Sequence, residues 1–259
     1  MKKSILSMML VAGAMVLVTG CGGSGSNSKV ADDGVFGNLP QVIAEQGDKA
    51  VALLDELSKV KSVEEAKAVS EKVQAAEGEA KKALEEAWAT LADKEIPADV
   101  NPDIPFKVTQ AFKLDTEKSK EDKLEFVAYV ENTAETYRGF TRNGPDDSSK
   151  FNTKNVKVLL VDGDGQPVCT PYRAGYDHAV AEGEDLYAVG SKGKVTVKLK
   201  LEPWMAEFMG KTKKFLIVSD ESEEYKTTRK ATDDADMAYT DKVRELAKQA
   251  VEAVKGNVK

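Results

Sequence analysis

Lys194-Val195-Thr196-Val197-Lys198-Leu199-Lys200-Leu201 sets polar and apolar side chains in strict alternation. A period of two belongs to an extended strand with one face on a core and the other in water, because successive side chains point to opposite sides. The period recurs upstream. Phe106, Val108, Phe112 and Leu114 alternate with Lys107, Thr109 and Lys113, and Leu124, Phe126, Ala128 and Val130 repeat it. Val156, Val158 and Leu160 lead into Asp162-Gly163-Asp164-Gly165 and a return through Val168, the pattern of a hairpin. Phe215 to Val218 supplies a further strand. Six or seven short strands without regular intervening helices predict an antiparallel β-sandwich over residues 105–229. Trp204, Met205, Phe208 and Met209 make one helical turn after Pro203, expected to plug that core.

On either side the period is helical, which makes the chain α+β. Over residues 38–96 a helical hairpin is expected. Asn38 precedes Pro40 as an N-cap, and Val42, Ile43, Val51, Leu54 and Leu57 share a face. Ser62 and Glu65 form a capping box that opens a second helix at Val63. There Ala66, Val69, Val73, Ala76, Ala80, Ala83 and Ala87 recur in steps of three and four, with Leu84, Trp88 and Leu91 as a second stripe. The short connection makes the two helices antiparallel. A C-terminal helix is expected over 232–256, capped by Thr232, with Asp233, Asp234 and Asp236 in its first turn and Val243, Leu246, Ala250 and Val254 on its apolar face. That helix is expected to pack beside the hairpin and cover the Leu84, Trp88 and Leu91 stripe.

The first residues carry an address. Lys2 and Lys3 precede an apolar run from Ile5 to Val18, too short to span a bilayer comfortably, and Val18-Thr19-Gly20-Cys21 follows. This resembles the signal peptide and lipobox of bacterial lipoproteins. The resemblance implies removal of residues 1–20, diacylglycerol on the Cys21 sulfur and acylation of the new amine, so the mature chain is exported and anchored on a membrane without crossing it. Gly22 rather than Asp after the cysteine points to the outer membrane if the source is diderm. Residues 21–37 then read as a lipidated Gly/Ser-rich tether. The strand pattern resembles the immunoglobulin-like accessory domains of bacterial surface lipoproteins, without the cysteine pair of a true immunoglobulin domain.

The precursor has a net charge of −7, and loss of Lys2 and Lys3 takes it two units further, to −9. Such an acidic chain is unsuited to general nucleic-acid binding. With Cys21 lipidated, Cys169 is the only other cysteine, which leaves no intrachain disulfide.

Few residues invite chemistry. Cys169 and His178, the sole histidine, are the only pair that forms a Cys–His nucleophile, but a small apolar cysteine on a strand is ordinary core. Asp162-Gly163-Asp164-Gly165 starts like a calcium loop, yet Pro167 and Arg173 stand where that loop needs Gly and Glu, and a site there needs help from residues such as Asp146 and Asp147. No metal site, cofactor or catalytic residue is therefore expected. Asn132–Asn155 and Pro171–Asp185 read as long polar loops, and their Tyr137, Phe140, Tyr172 and Tyr176 form a candidate recognition surface. Lys194, Lys198 and Lys200 share one strand face, either as an anionic-ligand patch or as a solvated face guarding an edge strand. The expected function is that of a non-enzymatic, membrane-tethered envelope lipoprotein that binds or assembles with an envelope protein or glycan. The alternative is an envelope hydrolase or glycan-processing enzyme.

Overall fold

The computed structural model describes residues 34–120, 122–133, 156–171, 179–182, 190 and 192–257. Helix α1 spans Leu39–Ser58. Gly37 at φ +55° turns the chain into it, and Pro40 occupies its first turn, where a missing N–H costs no helix bond. Asn38 stands at the N-cap but makes no side-chain cap. Helix α2 spans Val63–Ala89. Ser62 Oγ accepts the Glu65 N–H at 3.1 Å, and Glu65 Oε2 reaches one residue beyond the usual box to accept the Lys61 N–H at 2.7 Å. The helices run antiparallel: Glu56 pairs with Lys72, Val60 packs with Val69 and Val73, and Leu39 and Ile43 share a core with Leu84 and Leu91.

Gly78 lies inside α2 with open space where a Cβ would stand. Gly78→Ala should therefore stabilise the protein by about 0.5–1 kcal/mol, by lowering the entropy of the unfolded chain. Urea unfolding beside wild type checks this.

The chain then forms β1 Glu95–Ile96, β2 Ala98–Val100, β3 Phe106–Leu114, β4 Lys123–Asn132, β5 Val156–Val161, β6 Pro167–Cys169, β7 Ala179–Glu182, β8 Lys192–Lys200 and β9 Lys214–Ser219. They make a five-stranded sheet, β1-β3-β4-β8-β7, and a four-stranded sheet, β2-β9-β5-β6. The expectation of purely antiparallel pairing fails at one place, because β2 runs parallel to β9, with Ala98 opposite Phe215 and Val100 opposite Ile217. The reason is Pro97. It interrupts the ladder after β1, which pairs with β3, and sends the next three residues to the other sheet, where the Pro97 carbonyl accepts the Phe215 N–H at 2.9 Å. Both short strands lie in or just after the segment expected to be helical hairpin.

The inward faces of both sheets share one core. Phe215 of β9 meets Phe112 of β3 and Phe126 of β4, with ring centroids 5.1 and 5.9 Å apart. Phe36 joins them at 6.0 Å from Phe126 and 6.1 Å from Phe215. The tether expected over 21–37 thus overruns the body. Phe36 is fully buried and the Val35 N–H donates to the Thr212 carbonyl, so residues 34–37 are structured. Leu84 and Leu91, with Trp88 packed against them, also face this core rather than the C-terminal helix. The hairpin and sheets are one packed unit. Met205 and Met209, on a 3₁₀ turn (Pro203–Met205) and helix α3 (Ala206–Lys211), are buried in the same core as the expected plug.

The C-terminal helix α4 spans Glu223–Asn257, starting nine residues before the expected cap at Thr232. Its first turns cover the outer side of the four-stranded sheet, where Tyr225 packs on Leu159, Leu216 and Val218. Its later turns pack on the hairpin, through Val243 beside Ala50 and Leu54, and Val254 beside Val60, Val69 and Val73. Thr232 lies inside the helix, fully buried, with Oγ1 donating to the Thr228 carbonyl at 2.8 Å and accepting the Thr170 N–H at 3.0 Å. Among the described residues no helix is long and apolar enough to cross a membrane.

Candidate functional site

The two sheets differ in what covers their outer sides. All six residues of β5 are buried, because α4 lies over the four-stranded sheet. Among the described residues no element covers the outer side of the five-stranded sheet, where Lys107, Thr109, Gln110, Lys113, Tyr129 and Lys192 are exposed. Tyr129 retains 48% of its accessible surface, unusual for an aromatic in the middle of a sheet.

A double irregularity shapes this face. Val108 and Gln110 of β3 oppose the consecutive residues Val130 and Tyr129 of β4, and Gln110 and Lys113 oppose Tyr129 and Val127. Each step places one extra residue on β3, and such bulges bend a strand and re-aim its side chains. The result is an open groove of about 240 Å³ lined by Gln110, Ala111, Lys113, Leu114, Asp115, Val127, Tyr129 and Lys194. Tyr129 and Lys194 are direct partners across β4 and β8. Asp115 is turned to its own loop, since Oδ1 accepts the Glu117 and Lys118 N–H groups at 3.2 Å. Lys113 Nζ lies 3.0 Å from Glu95 Oε1, with both side chains more than half exposed. Pairs of that kind contribute about 0–1 kcal/mol and give way readily.

Of the sequence-derived candidates, Lys194, Lys198 and Lys200 do share the outer side of β8. The edge-strand explanation is overturned, because β8 lies between β4 and β7. Only Lys194 reaches the groove. Lys198 stands opposite Glu125, and Lys200 pairs with Glu202. Cys21, Tyr137, Phe140, Asp146, Asp147, Tyr172, Tyr176 and His178 lie outside the described residues. Gln110, Lys113 and Tyr129 went unremarked in the sequence. One signal for them existed, the polar Gln110 at an apolar parity position between Val108 and Phe112.

No family model, curated protein or solved structure matches this chain.

The remaining candidates resolve locally. Cys169 is fully buried, donates its thiol to the Thr170 carbonyl at 3.0 Å and lies 3.7 Å from Thr232 Oγ1. Burial pushes its pKa from the ordinary value near 9 to about 12, with the Thr232 hydroxyl opposing weakly. A thiol so held is neutral and sealed, the reverse of an activated nucleophile. The folded pKa lies above the unfolded one, so this contribution to stability is complete below pH 9 and is lost as pH rises toward 12. Wild type should therefore lose stability more steeply over that window than Cys169→Ala, by urea unfolding at each pH. At pH 8, alkylation of native protein should proceed only as fast as the fold opens.

The Asp162–Gly165 segment is a hairpin turn between β5 and β6. Asp162 Oδ1 accepts the Asp164 and Gln166 N–H groups at 3.0 and 2.8 Å, and Gly165 takes φ +79°. Its carboxylate thus caps the turn. Among the described residues no three His, Cys, Asp or Glu side chains gather as a metal site would require.

Proposed function

We propose that this protein is a non-enzymatic, lipid-anchored component of the bacterial envelope that presents the open side of its five-stranded sheet to an envelope protein or glycan. The observation that carries this reading is the lipobox at Val18-Thr19-Gly20-Cys21, with residues 22–33 between it and Gly34. The body is built to take a pull at that point. Gly34 fits closely against the backbone of the 209–212 segment, Val35 is hydrogen-bonded to Thr212, and Phe36 is seated in the common core. In a diderm source the anchor would hold it at the outer membrane. The hydrolase alternative receives no support from Cys169, whose thiol is buried and neutral.

The sheet pair is proposed to be an immunoglobulin-like sandwich. Strand order supports this: β3-β4-β8-β7 matches the A-B-E-D sheet, and β9-β5-β6 matches F-C-C′. The place beside F that strand G fills is taken by β2, parallel because it arrives from before strand A. The chain that would have formed G continues as α4.

The test is fractionation of cells expressing wild type and Cys21→Ala. Wild type is expected in the membrane fraction with acyl mass at Cys21 and without residues 1–20, and the variant without acyl mass and with residues 1–20 uncleaved. Acyl mass on Cys21→Ala, or its cleavage before residue 21, would overturn the anchoring reading.

A further inference from the structure

We propose that the groove beside Tyr129 binds one uncharged sugar ring, an inference that rests on the glycan-facing form of the function just proposed. One row of register partners crosses four strands here: Gln110 of β3, Tyr129 of β4, Lys194 of β8 and Glu182 of β7. The charges in and beside that row are met within the chain. Lys194 stands opposite Glu182 and is engaged. Lys113 pairs with Glu95. Asp115 gives one oxygen to the Glu117 and Lys118 backbone N–H groups, and its other oxygen lies 3.7 Å from the Lys118 ammonium. The groove therefore carries no surplus charge to select an ion. A charged ligand would lose hydration there without gaining a free counter-charge, whereas hydroxyl groups bring no charge to be met.

What remains to meet a ligand is an aromatic ring and an amide. Gln110 and Tyr129 are both exposed, and among the described residues neither the Gln110 amide nor the Tyr129 hydroxyl has a hydrogen-bond partner. The amide both donates and accepts. The ring of Tyr129 stands beside Ala111 and Val127, which extend its apolar surface. A pyranose divides in the same way, into an apolar C–H face and a rim of hydroxyls that donate and accept. An extended peptide is the poorer match, because it adds to an unpaired strand edge, and β4 is paired on both sides at Tyr129. At about 240 Å³ the groove falls below the roughly 300–1,000 Å³ of sites that enclose drug-sized ligands, so it takes one ring rather than a chain. The depression exists because β3 carries two extra residues against β4, so the groove belongs to the backbone and not to a chance arrangement of side chains.

The test is saturation-transfer NMR on the mature chain in a detergent without a sugar head group, titrated with methyl β-D-glucopyranoside, D-glucuronate and N-acetyl-L-glutamine amide. The glucoside is expected to receive saturation, with transfer that high salt leaves unchanged, as an uncharged contact requires. Its dissociation constant should rise about tenfold in Tyr129→Ala and in Gln110→Ala, the order of one aromatic or one hydrogen-bonding contact. Glucuronate should bind no more tightly than the glucoside, and the glutamine amide more weakly. Both substituted residues are exposed, so the fold tolerates their replacement, which the melting temperature verifies. The proposal is overturned by an absence of transfer to the glucoside or by equal transfer in Tyr129→Ala. It is overturned equally by glucuronate binding more tightly, which would mark an anion site, or by the glutamine amide binding as tightly, which would mark a peptide site. The titration reads the sugar and not the lipid, so failure of the anchor and failure of the sugar site are separately visible.

Discussion

Phe215→Ala is expected to lower the unfolding free energy by about 3–5 kcal/mol, the cost of removing a large aromatic from a closed core. Phe215 has no accessible surface and meets Phe36, Phe112 and Phe126 at centroid distances of 6.1, 5.1 and 5.9 Å. Those rings come from the facing five-stranded sheet and from the segment that leads into α1, so none can move into the void without disturbing its own strand or turn. Because Leu39, Ile43, Leu84 and Leu91 belong to the same core, the loss should appear in helices and sheets together. Urea unfolding followed by far-ultraviolet circular dichroism and by tryptophan fluorescence should give one coincident transition, shifted in the variant. Two separated transitions would show that the helical hairpin folds by itself.

Thr232→Val is expected to cost about 1–3 kcal/mol although it preserves shape, because it removes the acceptor of a buried backbone donor. Thr232 Oγ1 accepts the Thr170 N–H at 3.0 Å, linking α4 to the end of β6 across 62 positions of sequence. No water reaches the site to replace the hydroxyl, since Thr232 is fully buried. A stability within about 0.5 kcal/mol of wild type, the range of ordinary surface substitutions, would refute this assignment.

Where one face of an element meets core and the other water, the sequence was a good guide. The alternation at Lys194–Leu201 and the three-four steps of α2 come from such elements, and both were placed correctly. β5 is different: with a sheet on one side and α4 on the other, its six residues are all buried and its register is carried by pairing with β9. β1 and β2 are too short, at two and three residues, to display any period. Phe36 is a lone aromatic in a Gly-rich run, and only the assembled core reveals that it is an anchor.

The C-terminal helix shows how a local signal misleads. Thr232 followed by three acids within four residues looks like a cap, but its hydroxyl bonds back to Thr228 inside the helix. The operative cap is Ser222, whose Oγ accepts the Tyr225 N–H at 3.1 Å, ahead of Glu223 and Glu224 in the first turn. That signature was present in the sequence, hidden by its closeness to the last strand. The groove was less legible still. Bulges leave parity unchanged when they come in pairs, so β3 reads as one regular strand, with Gln110 as its single irregular residue.

Everything said of function turns on the anchor at Cys21. The decisive measurement is intact and N-terminal peptide mass spectrometry of the protein purified from membranes of cells that process lipoproteins. The expected result is a mature N-terminus at Cys21 carrying the added mass of diacylglycerol and an amide-linked acyl chain. An unmodified chain that begins at any other residue, or one that retains Met1, would contradict it.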